Sequence, residues 1–90
     1  MNKERRKAIA DIEKQIAEVQ GRMEEIMDSI DSIRSEEEDY KENMPENMQG
    51  GEKYEMAETA CENLEEAYNK LEEAKDGIDE VVDYLDEASN

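Results

Sequence analysis

Between Leu64 and Ala88 one four-residue phrase returns four times at a spacing of seven. It reads Leu64-Glu65-Glu66-Ala67, Leu71-Glu72-Glu73-Ala74, Ile78-Asp79-Glu80-Val81 and Leu85-Asp86-Glu87-Ala88. Each phrase is a large apolar residue, two acids and a small apolar residue. Steps of three and four bring the apolar members onto one face of a helix and turn the acids toward water. Such a segment must be a long helix, and it must pack on at least one other.

The partner is legible upstream. Ile9, Ile12, Ile16, Val19, Met23, Ile26, Ile30 and Ile33, then Tyr40 and Met44, alternate steps of three and four, with Glu37 standing at one core position. The spacing predicts a first helix from about Lys3 to Glu42, roughly 60 Å long at ~1.5 Å per residue. Gly21 falls inside it and is read as a tolerated surface glycine, at a cost of up to ~1 kcal/mol against Ala.

The break is Asn43-Met44-Pro45-Glu46-Asn47-Met48-Gln49-Gly50-Gly51. Pro45 disfavours helix at Met44 and cannot continue the first helix. Gly50-Gly51 offers the freedom to reverse. One short helical turn is expected over Pro45–Gln49, with Met44 and Met48 packed over the end. The second helix is expected from Glu52 to about Ala88.

The second helix carries three apolar columns. Leu64, Leu71, Ile78 and Leu85 form a Leu/Ile column. Ala60, Ala67, Ala74, Val81 and Ala88 form an Ala column. Tyr54, Cys61, Tyr68 and Val82 form a third, interrupted by Lys75. A two-stranded seam uses two columns, so a third suits a larger bundle.

Two long helices joined by a short break imply one domain, residues 1–90: an all-α antiparallel coiled-coil hairpin. Centring the turn near residue 47 pairs Ile9 with Leu85, Ile16 with Ile78, Met23 with Leu71 and Ile30 with Leu64. It also sets Lys3, Arg5, Arg6 and Lys7 beside Asp83, Asp86 and Glu87. A lone hairpin buries little apolar surface. Two copies are therefore expected to form a four-helix bundle, with Ala60, Ala67, Ala74, Val81 and Ala88 as the self-association face.

Composition limits function. Charged residues are 43% of the chain and the net charge is −17, a surface that repels nucleic acid and anionic lipid and suits a basic partner. The charge is uneven: residues 1–42 carry 8 basic and 13 acidic groups, residues 43–90 carry 3 and 15. No apolar run approaches the ~20 residues of a membrane span, and no signal-peptide core is present, so the expected location is the cytoplasm. There is no His. The carboxylate pairs look equally solvated, whereas catalytic acids need unlike environments. The reading is not an enzyme, with no cofactor and no metal site. Asp76–Asp86 has four Asp but not the spacing of a calcium loop. Cys61 is the lone cysteine and reads as a small buried residue, without the positive surroundings of a reactive thiol. Were its flank a dimer seam, a symmetric disulfide could form there on oxidation.

The run Met44-Pro45-Glu46-Asn47-Met48-Gln49-Gly50-Gly51-Glu52-Lys53-Tyr54-Glu55, followed by the Leu-Glu-Glu-Ala heptads, resembles small acidic hypothetical proteins of Firmicute phages and mobile elements. These look like a charged helix, a Pro-Glu-Asn-(apolar)-Gln turn and an acidic helix. The likeness covers mainly residues 43–88, and Met44 and Met48 stand where Leu would be more expected. The resemblance implies a mobile-element origin and host-directed roles such as counter-defence; it supplies no functional residues.

The function expected from this is a non-enzymatic acidic interaction protein. It would bind and inhibit a basic host protein, defence or nucleic-acid-binding, by nucleic-acid mimicry. The residues assigned to the partner are Glu65, Glu66, Glu72, Glu73, Asp79, Glu80, Asp86 and Glu87. The alternatives are a structural or assembly coiled coil with no host target, and a sponge for a small signalling nucleotide held between subunits. The sponge needs clustered cations, which only Lys3–Lys7 offers.

Overall fold

The computed structural model describes residues 1–90. Helix α1 spans Lys3–Glu42 and helix α2 spans Glu52–Ala88, joined by a single 3-10 turn at Glu46–Met48. The helices lie side by side as an all-α hairpin, a rod of 70 × 15 × 12 Å.

Each helix end has a local cause. Asn2 is extended and its side-chain oxygen accepts from the Arg5 N–H at 2.8 Å, satisfying one of the free donors of the first turn of α1. Glu4 in the same turn, and Glu52 and Glu55 in the first turn of α2, suit the positive end of the helix dipole. Lys41 in the last turn of α1 suits the negative end of that helix's dipole. Ser89 closes α2 by donating its hydroxyl to the Asp86 carbonyl at 3.0 Å.

The reversal does not use a left-handed glycine. No residue, glycine included, has a positive φ. Instead Met48 N–H donates to Pro45 O at 2.9 Å, Gly51 N–H to Met48 O at 3.0 Å, and the Gln49 side-chain amide to Met44 O at 3.2 Å. Gly51 sits close to the turn: a Cβ there would meet the Met48 carbonyl oxygen at 3.2 Å, a tight contact. Met44 is buried over the hairpin end as expected, whereas Met48 is exposed and caps nothing. Gly21 has open space around its Cα, in keeping with a surface glycine.

The seam between the helices follows an unbroken three-four alternation. From α1 it takes Ile9, Glu13, Ile16, Gln20, Met23, Met27, Ile30, Arg34, Glu37 and Lys41, and from the connection Met44, all buried or half-buried. From α2 it takes the Leu/Ile column, extended back to Ala57, and the column Tyr54, Cys61, Tyr68, Lys75, Val82. Only Met27, Met44, Ala57 and Cys61 are buried outright, so the packing is tightest toward the turn.

Here the structure corrects the sequence reading. Ile12, Val19, Ile26, Ile33 and Tyr40 do not enter the seam; all are exposed. Their place is taken by Glu13, Gln20, Met27, Arg34 and Lys41, one position further on. A helix has only two columns to give to one neighbour, and α1 gives the Ile9 column and this mixed one. The polar members manage because long side chains lay their stems along the seam and keep their heads in water.

Candidate interaction surface

The seam divides the remaining surface into unlike sides. One side is acidic and polar, and cross-helix contacts mark it. The Gln20 side-chain amide donates to Asp79 at 2.7 Å and to the Lys75 carbonyl at 3.3 Å. Lys75 pairs with Glu24, the one ion pair that joins the helices. Near the open end Glu13 and Asp86 face each other. The hydrogen bond they share, with some burial and mutual repulsion, raises the Glu13 carboxyl above its ordinary value. A shallow groove of about 290 Å³ on the flank of the rod is lined by Asp31, Arg34, Glu65 and Tyr68.

The eight acids assigned to a partner are all exposed, but they do not form one strip. Each phrase sends its first acid, Glu65, Glu72, Asp79 or Asp86, to the side bearing these contacts. Its second acid, Glu66, Glu73, Glu80 or Glu87, goes to the back of α2, away from α1. A 100° step per residue separates the two columns. Glu73 is paired with Lys70 at 3.5 Å and Asp79 with Gln20; no cation lies within ion-pair distance of the other six.

None of Lys3, Arg5, Arg6 and Lys7 makes an ion pair with Asp83, Asp86 or Glu87; the five ion pairs all lie elsewhere. Asp86 turns instead toward Glu13.

Cys61 is buried inside the hairpin's own seam. Burial raises its pKa first, and a thiol hydrogen bond to Glu38 adds to the shift. Glu38 is held low by a hydrogen bond from Lys41, at 3.2 Å, and by the Cys61 thiol. Lys41 in turn lies over the Tyr54 ring, 5.8 Å from its centre, a favourable cation–aromatic contact. The thiol is thus protonated, and its inward placement keeps it off any outer seam, so it is not positioned for a symmetric disulfide.

The opposite side of the hairpin is apolar. Tyr40 of α1 and Met56, Ala57 and Ala60 of α2 line one groove of about 310 Å³, with Glu37 and Lys53 at its edges. The two columns that meet there continue along the rod. In α1 it is Ile12, Val19, Ile26, Ile33 and Tyr40; in α2 it is the Ala column, of which Ala60 is half-buried and the rest exposed. Tyr84, 78% exposed, and Met56, 65% exposed, widen this face from the α2 side. Sequence reasoning assigned only the Ala column to it. The α1 half was missed because its residues looked equally suited to the seam, and Met27 and Ala57 were missed as core. The signal for both was present: Met27 lies four after Met23 and three before Ile30, and Ala57 lies seven before Leu64.

No group of His, Cys, Asp and Glu is arranged to hold a metal ion, and no helix is long and apolar enough to cross a membrane. No family model matches the chain, and no curated protein or solved structure matches it.

Proposed function

We propose that the chain is a non-enzymatic interaction protein whose acidic sides engage a basic partner, a nucleic-acid-binding protein of a host cell, as a mimic of the polyanion that partner normally holds. The observation that supports this is a straight 70 Å rod carrying −17. That is one net charge per about 4 Å, close to the ~3.4 Å per phosphate along one DNA strand. Glu65, Glu66, Glu72, Glu80, Asp86 and Glu87 are exposed without a cation partner, and are the residues assigned to the contact along with Glu73 and Asp79. The reading includes a phage or mobile-element origin, action in the host cytoplasm as counter-defence, and a homodimer formed through Ala60, Ala67, Ala74, Val81 and Ala88.

The test is capture of basic nucleic-acid-binding proteins on the immobilised chain, with DNA as competitor. Binding should fall steeply as salt rises, be displaced by DNA, and be lost in a variant carrying Glu65→Lys, Glu72→Lys and Asp79→Lys. Capture that persists unchanged at about 0.5 M NaCl, where the screening length is only a few Å, overturns the reading.

The exposed apolar side favours a second reading, an assembly coiled coil with no host target. It predicts that Ala67→Glu or Ala74→Glu abolishes function while the acid-to-Lys variants keep it.

A further inference from the structure

Both helices turn their apolar arcs away from each other and toward the same open side. A two-helix hairpin with no further partner would gain by rotating α1 to bury Ile12, Val19, Ile26, Ile33 and Tyr40. The structure instead buries Glu13, Gln20, Arg34 and Lys41 part-way and leaves Val19 and Ile33 each 53% exposed. An apolar arc centred between the neighbouring helix and an open side is the arrangement of a helix in a four-helix bundle, where the core lies on the diagonal.

Tyr40 and Ala60 share a groove. Moving seven residues back along α1 and seven forward along α2 keeps that pairing in an antiparallel hairpin. The face is thus a ladder of Tyr40 with Ala60, Ile33 with Ala67, Ile26 with Ala74, Val19 with Val81 and Ile12 with Ala88. In nearly every rung the large residue comes from α1 and the small one from α2.

The charge distribution identifies the occupant. Immediately outside the ladder run Ala8, Gln15, Arg22, Ser29 and Glu36 on α1, and Met56, Asn63, Lys70, Gly77 and Tyr84 on α2. Among the residues of the ladder and its borders Glu36 is the sole acid, in a chain with 28 Asp and Glu; only at the turn end do further acids, Glu37, Glu52 and Glu55, line the grooves beside Met56 and Ala60. A chain of net charge −17 is best approached by another such chain where acids are fewest, and along most of its length this face is that place. The exposed area agrees. A compact monomer of this mass exposes about 5,400 Å², against 6853 Å² here. The excess of about 1,400 Å² exceeds the roughly 800 Å² per partner that a stable interface covers.

We infer that this two-helix face is the seam for a second copy of the chain, with the two hairpins side by side and both turns at the same end. This deepens the homodimer part of the reading above and rests on it. A two-fold axis along the rod sets α1 of one copy against α2 of the other, so the Ile/Val/Tyr column meets the Ala column in every layer. An axis across the rod would set α1 on α1, with Ile12 against Tyr40, and the Ala columns against each other across a gap. Large against small in four of the five layers, and Val against Val in the other, fills the core evenly. The pair keeps its acids outside and carries one net charge per about 2 Å, near the ~1.7 Å of duplex DNA. The acidic surface on offer is then that of a double strand.

The experiment is the mass of the pure chain in solution, by sedimentation equilibrium, with no host protein present. The expected value is twice 10.4 kDa; a mass of 10.4 kDa at all micromolar concentrations overturns the dimer. Ile26→Glu on the ladder should halve the mass, and Ser32→Glu on the exposed back of α1 should not. Doubled mass in Ile26→Glu, or equal loss in both, overturns the choice of face. Because Ile26→Glu can lose helix with its pair, orientation is read separately from spin labels at Glu46→Cys in a Cys61→Ser background. Label separation well under half the 70 Å rod length is expected. Separation near the full length overturns the placement of both turns at one end. Failure of salt-sensitive capture by a chain that passes these tests would count against the basic-partner reading alone.

Discussion

Glu13 and Asp86 bring two carboxyls together at the open end of the rod, one from each helix. Their shared hydrogen bond needs a proton, which is why Glu13 titrates above the ordinary Glu value of 4.5. The sign follows from linkage. A group whose folded pKa is raised binds protons more tightly in the folded chain, so its contribution is fully present below the unfolded value and lost as pH rises through the folded one. Glu13→Gln supplies the proton permanently. It should raise the melting temperature at pH 7, with the difference shrinking as pH falls below the ordinary Glu value of 4.5, where Glu13 carries its own proton. A difference that persists unchanged at the lower pH would show that the gain comes from elsewhere. Glu38 runs the opposite way. Lys41 and the Cys61 thiol hold it below its usual value, so its contribution is present above the ordinary Glu value and lost as pH falls through the lowered one.

Among the elements, the seam is carried by few fully enclosed side chains. Met27 is the largest of them within a helix, at 3% exposure, and Ala57 at 2% lets the two backbones close near the turn. Met27→Ala leaves a cavity and should cost about 2 to 3 kcal/mol in chemical denaturation. Ala57→Leu forces bulk into the same seam and should also destabilise, by roughly 1 to 3 kcal/mol. Tolerance of both would mean that the helices meet along another line. The turn depends on a different property. At Gly51 a Cβ would press on the Met48 carbonyl, and the peptide reverses through Pro45 and a single 3-10 turn with ordinary backbone angles.

At the scale of the whole molecule, self-repulsion opposes the fold. Four of five ion pairs join residues three apart in one helix, and only Lys75–Glu24 crosses the seam. Exposed pairs of this kind each contribute a fraction of a kcal/mol. They leave −17 on a narrow rod. Screening this charge should stabilise the hairpin, so the melting temperature should rise as NaCl is taken from about 10 mM to about 0.5 M. A melting temperature that falls over that range would mean that the ion pairs outweigh the repulsion. The proposed binding to a basic partner should move in the opposite direction with salt, which separates the two effects in one titration.

The sequence by itself determined the hairpin. Its seven-residue rhythm requires helices, Pro45 ends the first, and Asn2, Gly51 and Ser89 stand where the ends need them. The Leu/Ile column could only face inward, and it does. The sequence did not determine how α1 is rotated about its own axis. Ile12 and its column are as apolar as Ile9 and its column, and periodicity alone sends both to the seam. Only the tertiary structure decides, because a single neighbouring helix touches two columns and the third must face elsewhere. The same geometry splits each pair of acids between two sides of the rod, since adjacent residues on a helix point 100° apart. The Leu-Glu-Glu-Ala phrase therefore serves several surfaces at once: a seam, an acidic side, an acidic back, and an apolar side left open by the hairpin.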